Sequence, residues 1–149
     1  MTAVTLTFTQ RLSDGDRDSV HYVLSLTAEE RSRSRHPFET DDGQAVYLHL
    51  PRGTTLREGD WLKAESGELA QVRAKPEPVL TVTAERAIDL LQAAYHLGNR
   101  HVSLEITETY LRLSPDSVLQ DLLHHRGLTV IEEIAPFQPE TGAYGHHAH

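Results

Sequence analysis

The sequence predicts an α+β protein. A small all-β domain comes first, then a ferredoxin-like βαββαβ domain, then a flexible histidine-bearing tail. Three observations predict it. Through residue 75, short apolar runs alternate with polar residues at the two-residue period of half-buried strands, with Gly, Asp and Pro turn signals between them. A stiff interruption follows at Lys75-Pro76-Glu77-Pro78, where two prolines favour extended backbone. Beyond it, strand-period and helix-period stretches come in the order β-α-β-β-α-β. The expected boundaries are 1–75, 76–136 and 137–149.

Composition narrows the function classes. A chain of 149 residues with 38% hydrophobic content can bury one or two small cores. Its net charge of −8 disfavours nucleic acid and anionic membrane, which both attract a basic face. The absence of cysteine removes disulfides, thiolate metal sites and thiol nucleophiles. No signal peptide and no apolar run near the ~20 residues of a membrane span are present. A soluble cytoplasmic protein is the expectation. The unusual count is ten histidines.

In order, Val4, Leu6 and Phe8 alternate with threonines as a first strand, and Ser13 to Asp16 supply a turn. Asp14, Asp16 and Asp18 imitate the start of a calcium loop. Ser19 stands where such a loop needs glycine, and Ser25 where it needs a bidentate glutamate, so the stretch reads as a solvated turn. His21 to Leu26 is a second strand, and Thr27 to Glu30 has the spacing of a capping box. Arg31, Arg33 and Arg35 alternate as a solvated strand edge, with a docking strip for an acidic partner as the alternative. Asp41-Asp42-Gly43 signals a hairpin into Gln44–Leu50, where Val46, Leu48 and Leu50 share a face. Trp61–Ala64 and Leu69–Lys75 form the last hairpin. His21, His36 and His49 are scattered singly and read as surface or part-buried residues.

Past the prolines, Val79–Val82 is a short strand. Thr83 caps a helix with an apolar stripe of Ile88, Leu91 and Tyr95, and Gly98 ends it at positive φ. A Gly98-Asn99 turn then places His101 at the mouth of a strand in which Val102, Leu104 and Ile106 alternate with Ser103 and Glu105. Leu111 and Leu113 return. Ser114-Pro115-Asp116 starts a second helix with Val118, Leu119, Leu122 and Leu123 as its core stripe. His124, His125 and Arg126 complement its dipole and Gly127 ends it. Leu128–Ile134 is the final strand.

Two features exceed ordinary packing, His101 and the tail histidines His146, His147 and His149. Neutral imidazole suits nickel, zinc and copper, and affinity alone does not select among them. A two-fold dimer would place His101 beside its own copy, and the tails could complete the shell. A catalytic alternative pairs His101 with Glu105 for acid–base work, with His96, Asp89 and Glu108 as candidate neighbours. No nucleophile elbow, phosphate loop or HExxH spacing accompanies it.

The run Ala93-Ala94-Tyr95-His96-Leu97-Gly98-Asn99-Arg100-His101 resembles the signature of the urease accessory nickel metallochaperones, the UreE family. Similar stretches are Leu50–Thr54 with Leu56–Asp60, Val118–Val130, and Pro136–Glu140 with Gly142-Ala143-Tyr144 before a histidine-bearing tail. The resemblance spans nearly the whole chain. It implies an N-terminal partner- or peptide-binding β domain and a ferredoxin-like domain that dimerises. It places the family's metal-binding histidine on His101, with tail ligands at His146, His147 and His149. It implies no catalytic activity. The implied cargo is Ni(II), with zinc or copper able to occupy the same donors. The implied partners are the urease apoprotein and its accessory proteins, including the GTPase. Three tail histidines, and no histidine pair within Leu113–Ser117, point to delivery of about one ion per dimer rather than storage.

Overall fold

The structure is a computed structural model and describes residues 4–12 and 20–141. The aspartate-rich turn and His146, His147 and His149 lie outside the described residues. The fold is α+β, with two separate sheets and three helices among the described residues, and the chain divides into two units at Lys75/Pro76.

The first unit is one six-stranded sheet. Its strands are β1 (Leu6–Leu12), β2 (Val20–Leu26), β3 (Arg35–Glu39), β4 (Ala45–His49), β5 (Trp61–Ala64) and β6 (Leu69–Ala74). They are ordered β2-β6-β5-β1-β4-β3. The core gathers Phe8, Leu24, Leu26, Val46, Leu48, Leu50, Leu56, Leu62 and Val72, so every strand but β3 places a fully buried side chain in it. Each such leucine contributes roughly 1.5–3 kcal/mol by leaving water. Val4 lies before β1 and is exposed.

Between β2 and β3 sits α1 (Ala28–Arg31). Its capping box is complete: Glu30 N–H donates to Thr27 Oγ1 at 3.3 Å, and Thr27 N–H donates to Glu30 Oε1 at 2.8 Å. The alternating arginine edge does not form. Arg31 ends α1 and is 3% exposed, with its guanidinium donating to the Leu26 carbonyl at 2.7 Å. Arg33 pairs with Glu29, and Arg35 donates to the Leu50 carbonyl at 3.2 Å. A helical turn breaks the two-residue period on which the strip depended.

The second unit runs β7 (Glu77–Thr83), α2 (Ala87–Asn99), β8 (Glu105–Ile106), β9 (Leu111–Leu113), α3 (Ser117–His125) and β10 (Thr129–Ala135). Its sheet is ordered β10-β7-β9-β8, and each neighbouring pair is antiparallel. Leu80 and Val82 share one core with Leu90, Ala93, Leu97, Leu119 and Leu123, so both helices cover the same face of the sheet. Thr81 points to the other face, in register with Arg112 and Ile131.

Several local expectations are corrected here. Glu77 and Pro78 are not linker. They already pair with Ala135 and Ile134, because the extended backbone that proline imposes is also strand backbone. Helix α2 starts three residues later than Thr83 suggests, with Arg86 at its cap and no side-chain cap bond. Its buried residues are Leu90, Ala93 and Leu97, whereas Ile88, Leu91 and Tyr95 are exposed. Helix α3 is capped by Asp116 rather than Ser114, through bonds from the Val118 and Leu119 amides at 2.9 and 3.0 Å. Val118 is exposed. The aperiodic segment after Pro136 stays attached at first: Phe137 is buried, and the Gln138 and Glu140 amides are both bonded.

Candidate metal centre

Helix α2 does not end at Gly98. It runs through Asn99, and the reversal falls on His101, whose φ of 58° lies in the left-handed region. The His101 amide donates to the Gly98 carbonyl at 3.0 Å, and the Val102 amide donates to the Leu97 carbonyl at 3.2 Å. These two bonds are a Schellman closure with His101 at the left-handed position, and Val102 and Leu97 belong to one apolar cluster. Helix α3 closes the same way, with Gly127 at φ 81° and bonds to the His124 and Leu123 carbonyls. One helix end therefore uses glycine at this position and the other uses histidine. The strand expected from His101 onward is reduced to Glu105–Ile106, because the closure occupies the residues just after the helix.

His101 is exposed. Among the described residues its imidazole has no hydrogen-bond or ion-pair partner. A neutral imidazole offers one lone-pair nitrogen, which suits a borderline divalent cation. Nearby, His96 stands edge-on to Tyr95 at 5.4 Å between ring centroids. His124 and His125 lie in the last turn of α3, where cations complement the dipole. His36 is committed: its Nε2 accepts from Arg33 at 2.8 Å, and its Nδ1 donates to the Pro37 carbonyl at 2.7 Å. His21 Nδ1 accepts from the Leu69 amide at 3.3 Å. Among the described residues no three His, Asp or Glu side chains converge as a metal site. His101 differs from the other described histidines in its left-handed backbone position just beyond α2.

The acid–base pair is not assembled. Alternation fails after Leu104, which is buried together with Glu105, while Ile106 is exposed. Glu105 Oε1 accepts the Gln138 amide at 2.8 Å, Oε2 accepts the Tyr110 hydroxyl at 3.3 Å, and Arg112 stands 3.9 Å away. Arg112 in turn donates to Thr81 Oγ1 at 3.1 Å and covers the Tyr110 ring at 4.4 Å. Glu105 is a structural carboxylate. Asp89 is tied to Arg86 instead, through bonds of 3.0 and 3.1 Å that hold its carboxyl below the ordinary value. Sequence reasoning missed the roles of Gln138 and Glu105, since their bond spans 33 residues.

Comparison with known proteins decides the family. Residues 8–75 match the family model of the UreE urease accessory protein N-terminal domain, and residues 77–149 match that of its C-terminal domain. The chain belongs to the UreE urease accessory protein family. The urease accessory protein UreE of Nostoc punctiforme is 59% identical over 147 residues, covering 97% of this chain and 99% of that protein. A second Nostoc UreE is 59% identical over 143 residues, covering 95% and 97%. The Acinetobacter baumannii protein is 44% identical over 142 residues, covering 95% and 89%. UreE proteins are accessory factors of urease maturation, not enzymes, and the pairing of His101 with Glu105 as a catalytic couple is set aside on that ground too. Among the described residues no helix is long and apolar enough to cross a membrane.

Proposed function

We propose that this UreE protein is a cytoplasmic nickel metallochaperone. It binds Ni(II) at a homodimer interface and hands it to the urease apoprotein and its accessory proteins, the GTPase among them, for the dinickel site. The observation that carries this reading is the exposed imidazole of His101, held at a left-handed backbone position where a side chain is disfavoured. Backbone strain of this kind clusters at functional sites.

One imidazole is too few for tight binding, so the site is completed by symmetry. The exposed residues Ile88, Leu91 and Tyr95 lie three and four positions apart on one face of α2, two residues beyond whose last residue, Asn99, stands His101. Beside them an apolar cavity of about 190 Å³ opens between α2 and the β8–β9 hairpin, lined by Leu91, Ala94 and Ile106. Packing this stripe about a two-fold axis brings two copies of His101 together. His146, His147 and His149 then supply further donors. Zinc and copper fit the same donors. The βαββαβ order and the sheet order of the second unit support the ferredoxin-like reading of the domain that carries the site. Residues 76–136 form that domain, 1–75 the partner-binding domain, and the histidine tail follows.

Isothermal titration with Ni(II) tests the proposal. The expected result is about one tight site per dimer, lost in His101→Ala and weakened but kept when residues 145–149 are deleted. Titration that His101→Ala leaves unchanged refutes it.

A further inference from the structure

We infer that the free edge of the first sheet is closed against a second copy of this chain: Pro37 and the His36 imidazole remove the donor and fill the acceptor at the centre of β3, a strand that would otherwise pair with its own copy. Nickel plays no part in this device, so its test stands apart from that of the metal site.

Strand β3 is an end strand of the six-stranded sheet and pairs with β4 alone among the described strands. Its register with β4 shows which way its backbone points. The Leu50 amide donates to the Ser34 carbonyl at 2.9 Å, and the Thr40 amide donates to the Gln44 carbonyl at 2.9 Å. Residues 34, 36, 38 and 40 therefore turn their backbone groups to β4, and residues 35, 37 and 39 turn theirs outward. Pro37 is exposed, and a cleft of about 430 Å³ beside it, also lined by Ser25 and Leu26, leaves the edge uncovered. Such an edge is a template for strand addition. The stretch Arg35-His36-Pro37-Phe38-Glu39 is also complementary to itself. Two copies running antiparallel about residue 37 set each Arg35 opposite a Glu39 on one face, and each His36 opposite a Phe38 on the other.

That pairing fails at its centre, where the two strands would exchange N–H···O bonds through residue 37 of each. Proline has no N–H to give. Its carbonyl is already used, since His36 Nδ1 donates to it at 2.7 Å. The imidazole is set for this task. Arg33 donates to Nε2 at 2.8 Å, which puts the proton of the neutral ring on Nδ1, and Glu29 of α1 holds Arg33 in turn. The Phe38 ring lies against the imidazole, 4.8 Å between centroids. Proline alone is ordinary on an edge strand. Proline whose carbonyl is capped by a side chain held on two sides makes a closed edge.

The test is sedimentation of the metal-free full chain across a concentration series. Pro37→Val restores the outward N–H, and His36→Ala frees the carbonyl; neither removes a backbone bond to β4. The double variant is expected to self-associate beyond the wild-type chain, with about a twofold rise in average mass at the top of the series. The amide introduced at position 37 is expected to exchange more slowly there than at the bottom. Glu39→Arg added to the pair is expected to abolish the association, because arginine then faces arginine. Where the double variant does not fold, Pro37→Val by itself decides, with a partial rise expected. A mass equal to that of the wild type at every concentration overturns the closed edge. Association that Glu39→Arg leaves intact overturns it as well, since β3 is then not the surface that pairs.

Discussion

At position 101 the backbone favours glycine and the chain carries histidine. The left-handed region costs an ordinary L-residue about 1 kcal/mol, and the partner closure at Gly127 shows the same bonds made without that cost. His101→Gly is therefore expected to raise unfolding stability by about 0.5–1 kcal/mol, because the closure is kept and the strain is removed. The same variant is expected to lose the nickel site. Chemical denaturation and metal titration on one sample check both halves. The sequence made His101 conspicuous through its neighbours, but it did not reveal the conformation. Gly98 is the better local candidate for a helix stop. What moves the stop three residues onward is tertiary: Leu97 and Val102 both enter the core, and the closure that links them fixes the residue between.

At the scale of the element, α2 shows where periodicity runs out. Ile88, Leu91 and Tyr95 form a helical stripe, and so do Leu90, Ala93 and Leu97. A helix apolar on two faces does not say which one meets the sheet. The capping box of α1 was legible because both of its bonds close within four residues. The start of α2 was not, since Arg86 makes no cap bond and the first turn relies on Asp89. That reliance has a pH signature. Arg86, first by hydrogen bonding, holds the folded Asp89 carboxyl below its ordinary value of 3.8. A depressed folded pKa gives stabilisation that is present above the unfolded value and lost as pH falls through the folded one. Asp89→Asn is expected to speed amide exchange in the first turn of α2 at pH 6. The difference is expected to fade as pH falls through the depressed folded value, because protonation removes the charge that asparagine lacks.

The whole molecule was legible as two units of different grammar, an all-β stretch and then a βαββαβ order. Sheet order could not be read the same way. The parallel pairing of β1 with β4, and of β2 with β6, joins segments far apart in the chain, and no local pattern records it. The proposed dimer is a property at this scale. Leu91 is 64% exposed and Tyr95 66% exposed, so neither supports the protomer's core. Leu91→Asp is expected to shift the protein to monomer in sedimentation while leaving thermal unfolding of the protomer within about 0.5 kcal/mol. Its nickel stoichiometry is expected to fall with the dimer.

The first and last strands of the second unit lie side by side and run in opposite directions, with Glu77 across from Ala135. The chain thus comes in and goes out at one end of this sheet. A pull on those two points would load the pairing one rung at a time, like a zip, instead of shearing all the rungs together. Such a body yields readily to tension between its ends, and the bonds of the Gln138 and Glu140 amides to residues 105 and 104 divert part of a pull from beyond residue 140 toward a different strand.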